Sequence, residues 1–147
     1  MSLKFSQGTY AVKNPDKYIG VGNPRYRSSW ELSVMRMLDE NDAIQQWASE
    51  SVKIPYRDPL TGKPTVYVPD FLVVFTDNKK AKRAELWEIK PVNQTMVEKV
   101  GKNVYNQAQY VRNQVKWAAA RNWCKNQGIV FRIITERDLF HTGKKMR

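Results

Sequence analysis

Cysteine and histidine are nearly missing from this 147-residue sequence: Cys124 and His141 are the sole examples of each. One thiol makes no internal disulfide, and one thiol with one imidazole cannot assemble a Cys/His zinc site. Histidine-based acid–base chemistry would rest on a single residue in a polar C-terminal stretch. The seven glycines are scattered, so no glycine-rich phosphate loop is present. The longest apolar run is Phe71 to Phe75, far short of the roughly 20 residues that span a bilayer, and no membrane role is expected. The opening residues Met1-Ser2-Leu3-Lys4 lack the apolar stretch of a signal peptide. With the lone thiol, that suits a reducing cytoplasm.

Acids are the other shortage. Fourteen Asp and Glu face 25 Lys and Arg, a formal net charge of +11. An excess of that size on one small domain favours a polyanionic partner. Its placement sharpens this: from Lys99 to Arg132 there are seven basic residues and no acid, which points to nucleic acid. With histidine, thiol and phosphate loop excluded, any catalysis must come from carboxylates and lysine.

What is present divides into an arm and a domain. Residues 1–27, rich in Gly, Pro, Asn and Lys, read as an extended basic N-terminal arm, and residues 28–147 as one α/β domain. Ser28 followed by Glu31 matches a capping box at the start of a helix whose apolar face is Trp30, Val34, Met37 and Leu38. Strands are expected at Ser51–Tyr56, Thr65–Phe75 and Ala84–Pro91, with turn chemistry at Asp58–Pro64 and a polar hairpin tip at Thr76–Arg83. A long helix is expected from about Met96 to Gln127, with Val100, Val104, Ala108, Val111, Val115 and Ala118 as its buried stripe. Lys102, Gln109, Arg112 and Lys116 then form the opposite face, a surface for tracking phosphates. Gly128 stops that helix, and Ile129–Ile134 is a last strand. The order is α-β-β-β-α-β, a mixed sheet flanked by helices.

The most telling pattern is Val68-Pro69-Asp70 followed by Glu88-Ile89-Lys90 on the next strand. Residues i and i+2 of a strand share a face, so Glu88 and Lys90 point the same way, and pairing of the two strands brings Asp70 to the same spot. Two carboxylates and an ammonium so arranged suit metal-dependent phosphodiester hydrolysis. Glu85 is out of phase with Glu88 and is expected on the other face. Lys79, Lys80, Lys82 and Arg83 form a basic tip, expected near the entrance to the site.

With Pro69-Asp70 and Glu88-Ile89-Lys90 on consecutive strands, residues 28–135 resemble the PD-(D/E)xK nuclease superfamily. Tyr26-Arg27-Ser28-Ser29-Trp30-Glu31, the Pro-Asp-Phe strand Val68–Val73 and the end Ile133-Ile134-Thr135-Glu136 are similar to TnsA-type transposon endonucleases. They are equally similar to the small head-completion nucleases of T4-like tailed phages. Chain length favours the phage group, because TnsA carries a further C-terminal domain. The resemblance implies a single restriction-endonuclease-like domain that hydrolyses double-stranded DNA with Mg²⁺ or Mn²⁺. It implies Asp70 and Glu88 as metal ligands beside the Ile89 carbonyl, Lys90 as the water-orienting cation, and Glu31 as the first-helix acid. Gln107 and Gln109 are similar to a helix glutamine of some relatives. Portal or neck proteins are the implied partners, with a location in the host cytoplasm during assembly and then in the virion head-neck region. Two alternatives are a non-catalytic neck protein that binds DNA or portal, and a TnsA-like transposon or repair endonuclease subunit.

Overall fold

Pro69 divides the long β-prone run into two strands with different partners, because a proline has no N–H to give a ladder. A computed structural model describes residues 7–96 and 101–138. Its elements are β1 (Gly8–Thr9), β2 (Arg25–Tyr26), α1 (Ser29–Glu40), β3 (Ile44–Ser49), β4 (Ile54–Arg57), β5 (Pro64–Tyr67), β6 (Phe71–Thr76), β7 (Lys82–Ile89), α2 (Val104–Gln127) and β8 (Val130–Ile134). A short 3₁₀ turn, Val92–Gln94, follows β7. The main sheet has the order β3-β6-β7-β8, with β7 and β8 parallel and the other pairs antiparallel. The mixed sheet flanked by helices is as expected, but its first strand is Ile44–Ser49. The expected strand at Ser51–Tyr56 is instead β4, which pairs with β5 in a separate hairpin.

Each face of the sheet buries its own cluster. On one side Val34, Met35 and Leu38 of α1 pack with Trp47, Phe71, Val73 and Trp87. On the other, Trp117, Ala120 and Cys124 of α2 pack with Ile54, Tyr67 and Leu86. Burial pushes the Cys124 thiol up to about 11, as an inert core residue requires. The buried stripe of α2 is Asn113, Trp117, Ala120 and Cys124, not the valine series. Val104 is 79% exposed and Val111 45% exposed. Only the C-terminal half of α2 lies over the sheet, so residue spacing in the first half has no core to face. Val100, Lys99 and His141 lie outside the described residues.

The segment from 8 to 27 is no free arm. Tyr10 is buried, β1 pairs with β2, and Tyr18 bridges to Trp47 along the outer edge of β3. Helix α1 explains the attachment: its last carbonyls need donors, and Lys17 Nζ supplies them to Asp39 and Asn41, both at 2.8 Å. Asp39, fully buried, accepts from the Tyr10 hydroxyl at 2.6 Å and from the N–H groups of Lys13 and Asn14 at 2.8 and 3.1 Å. Basic residues that composition assigned to a partner thus hold the chain's own helix end.

Candidate active site

Asp70 sits one residue before β6, in the gap that Pro69 opens, and its Oδ2 accepts from the Ile89 N–H at 2.7 Å. Continuing the register from Phe71 opposite Trp87 sets Asp70 across from Glu88. N–H and C=O of one strand residue leave the same edge, so the Ile89 carbonyl also faces Asp70. Lys90, held on the other edge by its N–H to Ile134 O at 2.9 Å, shares Glu88's face, with Nζ 3.8 Å from Glu88 Oε2. Asp70, Glu88, Ile89 and Lys90 are therefore brought together as expected. Glu85 lies on the opposite face, accepting from Trp87 Nε1 at 2.8 Å and pairing with Arg132 at 3.1 Å.

Burial, and then the nearby charge of Glu88, raises the Asp70 carboxyl well above the ordinary carboxylate range. Glu88, 7% exposed, is raised by burial and drawn back by Lys90. Two like charges this close within a sheet are unfavourable unless something positive joins them.

Glu31 serves its capping box and faces the same cluster. Its N–H donates to the Ser28 hydroxyl at 3.1 Å, while its Oε1 accepts from the Arg27 N–H at 3.1 Å. Burial raises its carboxyl, and the Asp70 carboxyl is raised in turn by the Glu31 charge. Glu50, which spacing arguments passed over, joins them: its N–H donates to Asp70 O at 2.9 Å and its carboxylate pairs with Arg27 at 2.8 Å. Glu50 has φ +51°, a left-handed conformation that costs a non-glycine residue about 1 kcal/mol or more. Ser28→Ala, which removes only the cap, is expected to cost about 1 kcal/mol of stability by urea denaturation.

Two side chains complete the surroundings, neither assigned here by the sequence. Tyr67, buried, donates to Glu88 Oε1 at 2.7 Å. Lys116, expected on an outer phosphate-tracking face, turns inward, its Nζ 4.7 Å from the centre of the Tyr67 ring. Burial lowers its pKa while Glu88 draws it up. The usable signal for Tyr67 was that a buried tyrosine hydroxyl needs a partner, and an acid on the neighbouring strand could supply one.

The remaining basic residues separate. Arg112 is tied to Asp58 of the β4–β5 turn at 3.0 Å, Lys102 is exposed before α2, and Gln109 lines a cavity of about 400 Å³ that opens beside Lys90 and Lys116. Arg83 pairs with Asp77 at 2.9 Å, leaving Lys79, Lys80 and Lys82 exposed at the hairpin tip. That tip is not at the site entrance. Thr76 pairs with Lys82 at one end of the hairpin and Phe71 with Trp87 at the other. Six residues of strand, about 20 Å, separate the tip from Asp70.

The donor set is hard oxygen throughout: two carboxylates pressed together and a main-chain carbonyl on the same edge. Among the described residues no group of three or more His, Cys, Asp or Glu is placed to hold a metal. Two carboxylates and a main-chain carbonyl are donors of the kind that hold a hard divalent cation together with waters.

Comparison with known proteins agrees with this geometry. Residues 41–136 match the family described as TnsA-like endonuclease N terminal. The chain is also 33% identical to the head completion nuclease of Enterobacteria phage T4, over 148 aligned residues that cover 94% of this chain and 96% of that protein.

Proposed function

Since the chain belongs to the TnsA-like endonuclease family, we propose that it is a divalent-metal-dependent DNA endonuclease that processes DNA during completion of a phage head. The observation that carries the reading is the 2.7 Å bond from the Ile89 N–H to Asp70, which locks the Pro69-Asp70 turn onto the Glu88-Ile89-Lys90 strand. Asp70, Glu88 and the Ile89 carbonyl would hold the ion. When bound, a divalent cation supplies charge neutralisation at the phosphate and makes a water more acidic.

The side chains do the rest. Lys90 places an ammonium on the Glu88 face, where it orients the attacking water and offsets charge that develops on the phosphoryl oxygens. Tyr67 fixes the Glu88 rotamer, leaving Oε2 toward Lys90. Glu31, at the head of α1, approaches Asp70 from the neighbouring element and is assigned to help hold the water or ion. Lys116 adds positive charge at the α2 side, next to where a strand backbone must pass. The exposed Lys102 and the lysines of the hairpin tip are assigned to phosphates farther along the duplex. Portal or neck proteins are the proposed partners.

The purified protein, incubated with linear and covalently closed circular duplex DNA, is expected to hydrolyse both in Mg²⁺ or Mn²⁺ and neither in chelator. Cutting of the closed circle identifies an endonuclease. If neither metal supports hydrolysis of either form, the reading fails, and the non-catalytic neck protein takes its place.

A further inference from the structure

The cavity beside the site has a chemistry that the hydrolysis does not use. Its wall comes from the first half of α2 and the 3₁₀ turn after β7: Asn93, Tyr105, Asn106, Gln109, Tyr110 and Asn113. Lys90 and Lys116 close it on the side of the carboxylates, and among the described residues no acid lines it. Among the described residues, the side-chain amides of Asn93, Gln109 and Asn113 have no hydrogen-bond partner. Asn113 is the telling one, because it is only 7% exposed. What exposure it keeps is toward the cavity, where its amide is available to a guest.

We propose that this cavity receives one unstacked nucleotide of the strand being cut, next to the scissile phosphate. This rests on the nuclease reading above and names the form of DNA that the site selects. An amide side chain donates and accepts at once, as the edge of a nucleobase does. Tyr105 and Tyr110 offer ring faces on which a base stacks, a sequence-tolerant contact. The two lysines meet the flanking phosphates. A volume of about 400 Å³ falls in the range of small-molecule pockets and admits one nucleotide, not a helix. A fully stacked duplex leaves the cavity unfilled, so DNA with an unpaired nucleotide at the cutting point is preferred. Ends, gaps and junctions supply such nucleotides at the least cost in lost stacking.

The test separates binding from cutting. In the Asp70→Asn protein, with chelator present, fluorescence anisotropy would compare a labelled duplex with the same duplex carrying one extra unpaired nucleotide. The unpaired form is expected to bind about tenfold tighter, the scale of one base stacked on an aromatic ring. Asn113→Leu and Tyr105→Ala, each added to Asp70→Asn, are expected to bring the two affinities together. Tyr105 is 70% exposed, so its truncation leaves the core intact if Asn113→Leu fails to fold. Equal affinity of Asp70→Asn for both DNAs, or a preference that survives both added changes, overturns the cavity assignment and leaves the nuclease reading standing. A wild type that cuts nothing while Asp70→Asn keeps the preference overturns the nuclease reading and leaves the cavity assignment standing.

Discussion

Lys90→Ala is expected to lower the rate of DNA cleavage at saturating Mg²⁺ by about 10²- to 10³-fold, the loss found when one pre-aimed donor to a developing negative charge is removed. Its side chain is 24% exposed and its backbone N–H stays bonded to Ile134, so the fold tolerates the truncation. Lys116 does not substitute, because it approaches from α2 across the Tyr67 ring. Asp70→Asn keeps the shape of the turn and one acceptor for the Ile89 N–H while halving the anionic donor set, and is expected to lose at least as much. Single-turnover cleavage of a labelled duplex measures both. Rates within tenfold of wild type for both variants would sink the assignment of this cluster as the catalytic centre.

Asp39→Ala is expected to cost roughly 3 kcal/mol in urea denaturation, a large share of the stability of a domain this size. The change strands three donors at once: the Tyr10 hydroxyl and the N–H groups of Lys13 and Asn14. Each lies where α1 meets the N-terminal segment, and the Tyr10 hydroxyl is left in a buried setting when the fully buried Asp39 carboxylate is removed. The same residue predicts an acid response. Burial opposes the Asp39 carboxylate, but the Tyr10 hydroxyl and the two N–H donors outweigh it and hold its pKa below the ordinary value. A depressed folded-state pKa stabilises the protein above the unfolded-state value, and that contribution is lost as pH falls through the folded-state value. Wild type is therefore expected to weaken below the ordinary carboxylate range, and the Asp39→Ala protein to lose less over that window. An equal acid slope in the two proteins would remove Asp39 as the cause.

The site was far more legible than the sheet around it. Asp70, Glu88 and Lys90 could be brought together from strand periodicity alone, because a two-residue repeat allows only two faces. The Ser28 cap and the Gly128 stop, with φ +74°, were legible because local chemistry decides them. β3 was missed: Trp47 and Ala48 are buried in succession, and the pairing with β6 slips between Ile44 and Gln46, so no alternation is left to read. The valines of α2 misled for a different reason. Periodicity shows that a face exists, but not whether a sheet lies beneath it, and the first half of this helix runs past the sheet's edge. The tip lysines were misplaced because the sequence shows a hairpin without showing which end holds the chemistry.

Strand β7 carries Glu88 and Lys90 between β6 and β8, and β8 is reached only after the whole length of α2. The β6–β7 pairing is local in sequence, whereas β8 must return over a long loop of chain before it pairs with β7. Until it does, β7 is a sheet edge and the Lys90 N–H has no Ile134 carbonyl to hold it. The last pairing of the sheet is thus also the one that aligns the lysine. If the cluster hydrolyses DNA as proposed, β8 must pair with β7 before Lys90 is set against the two carboxylates.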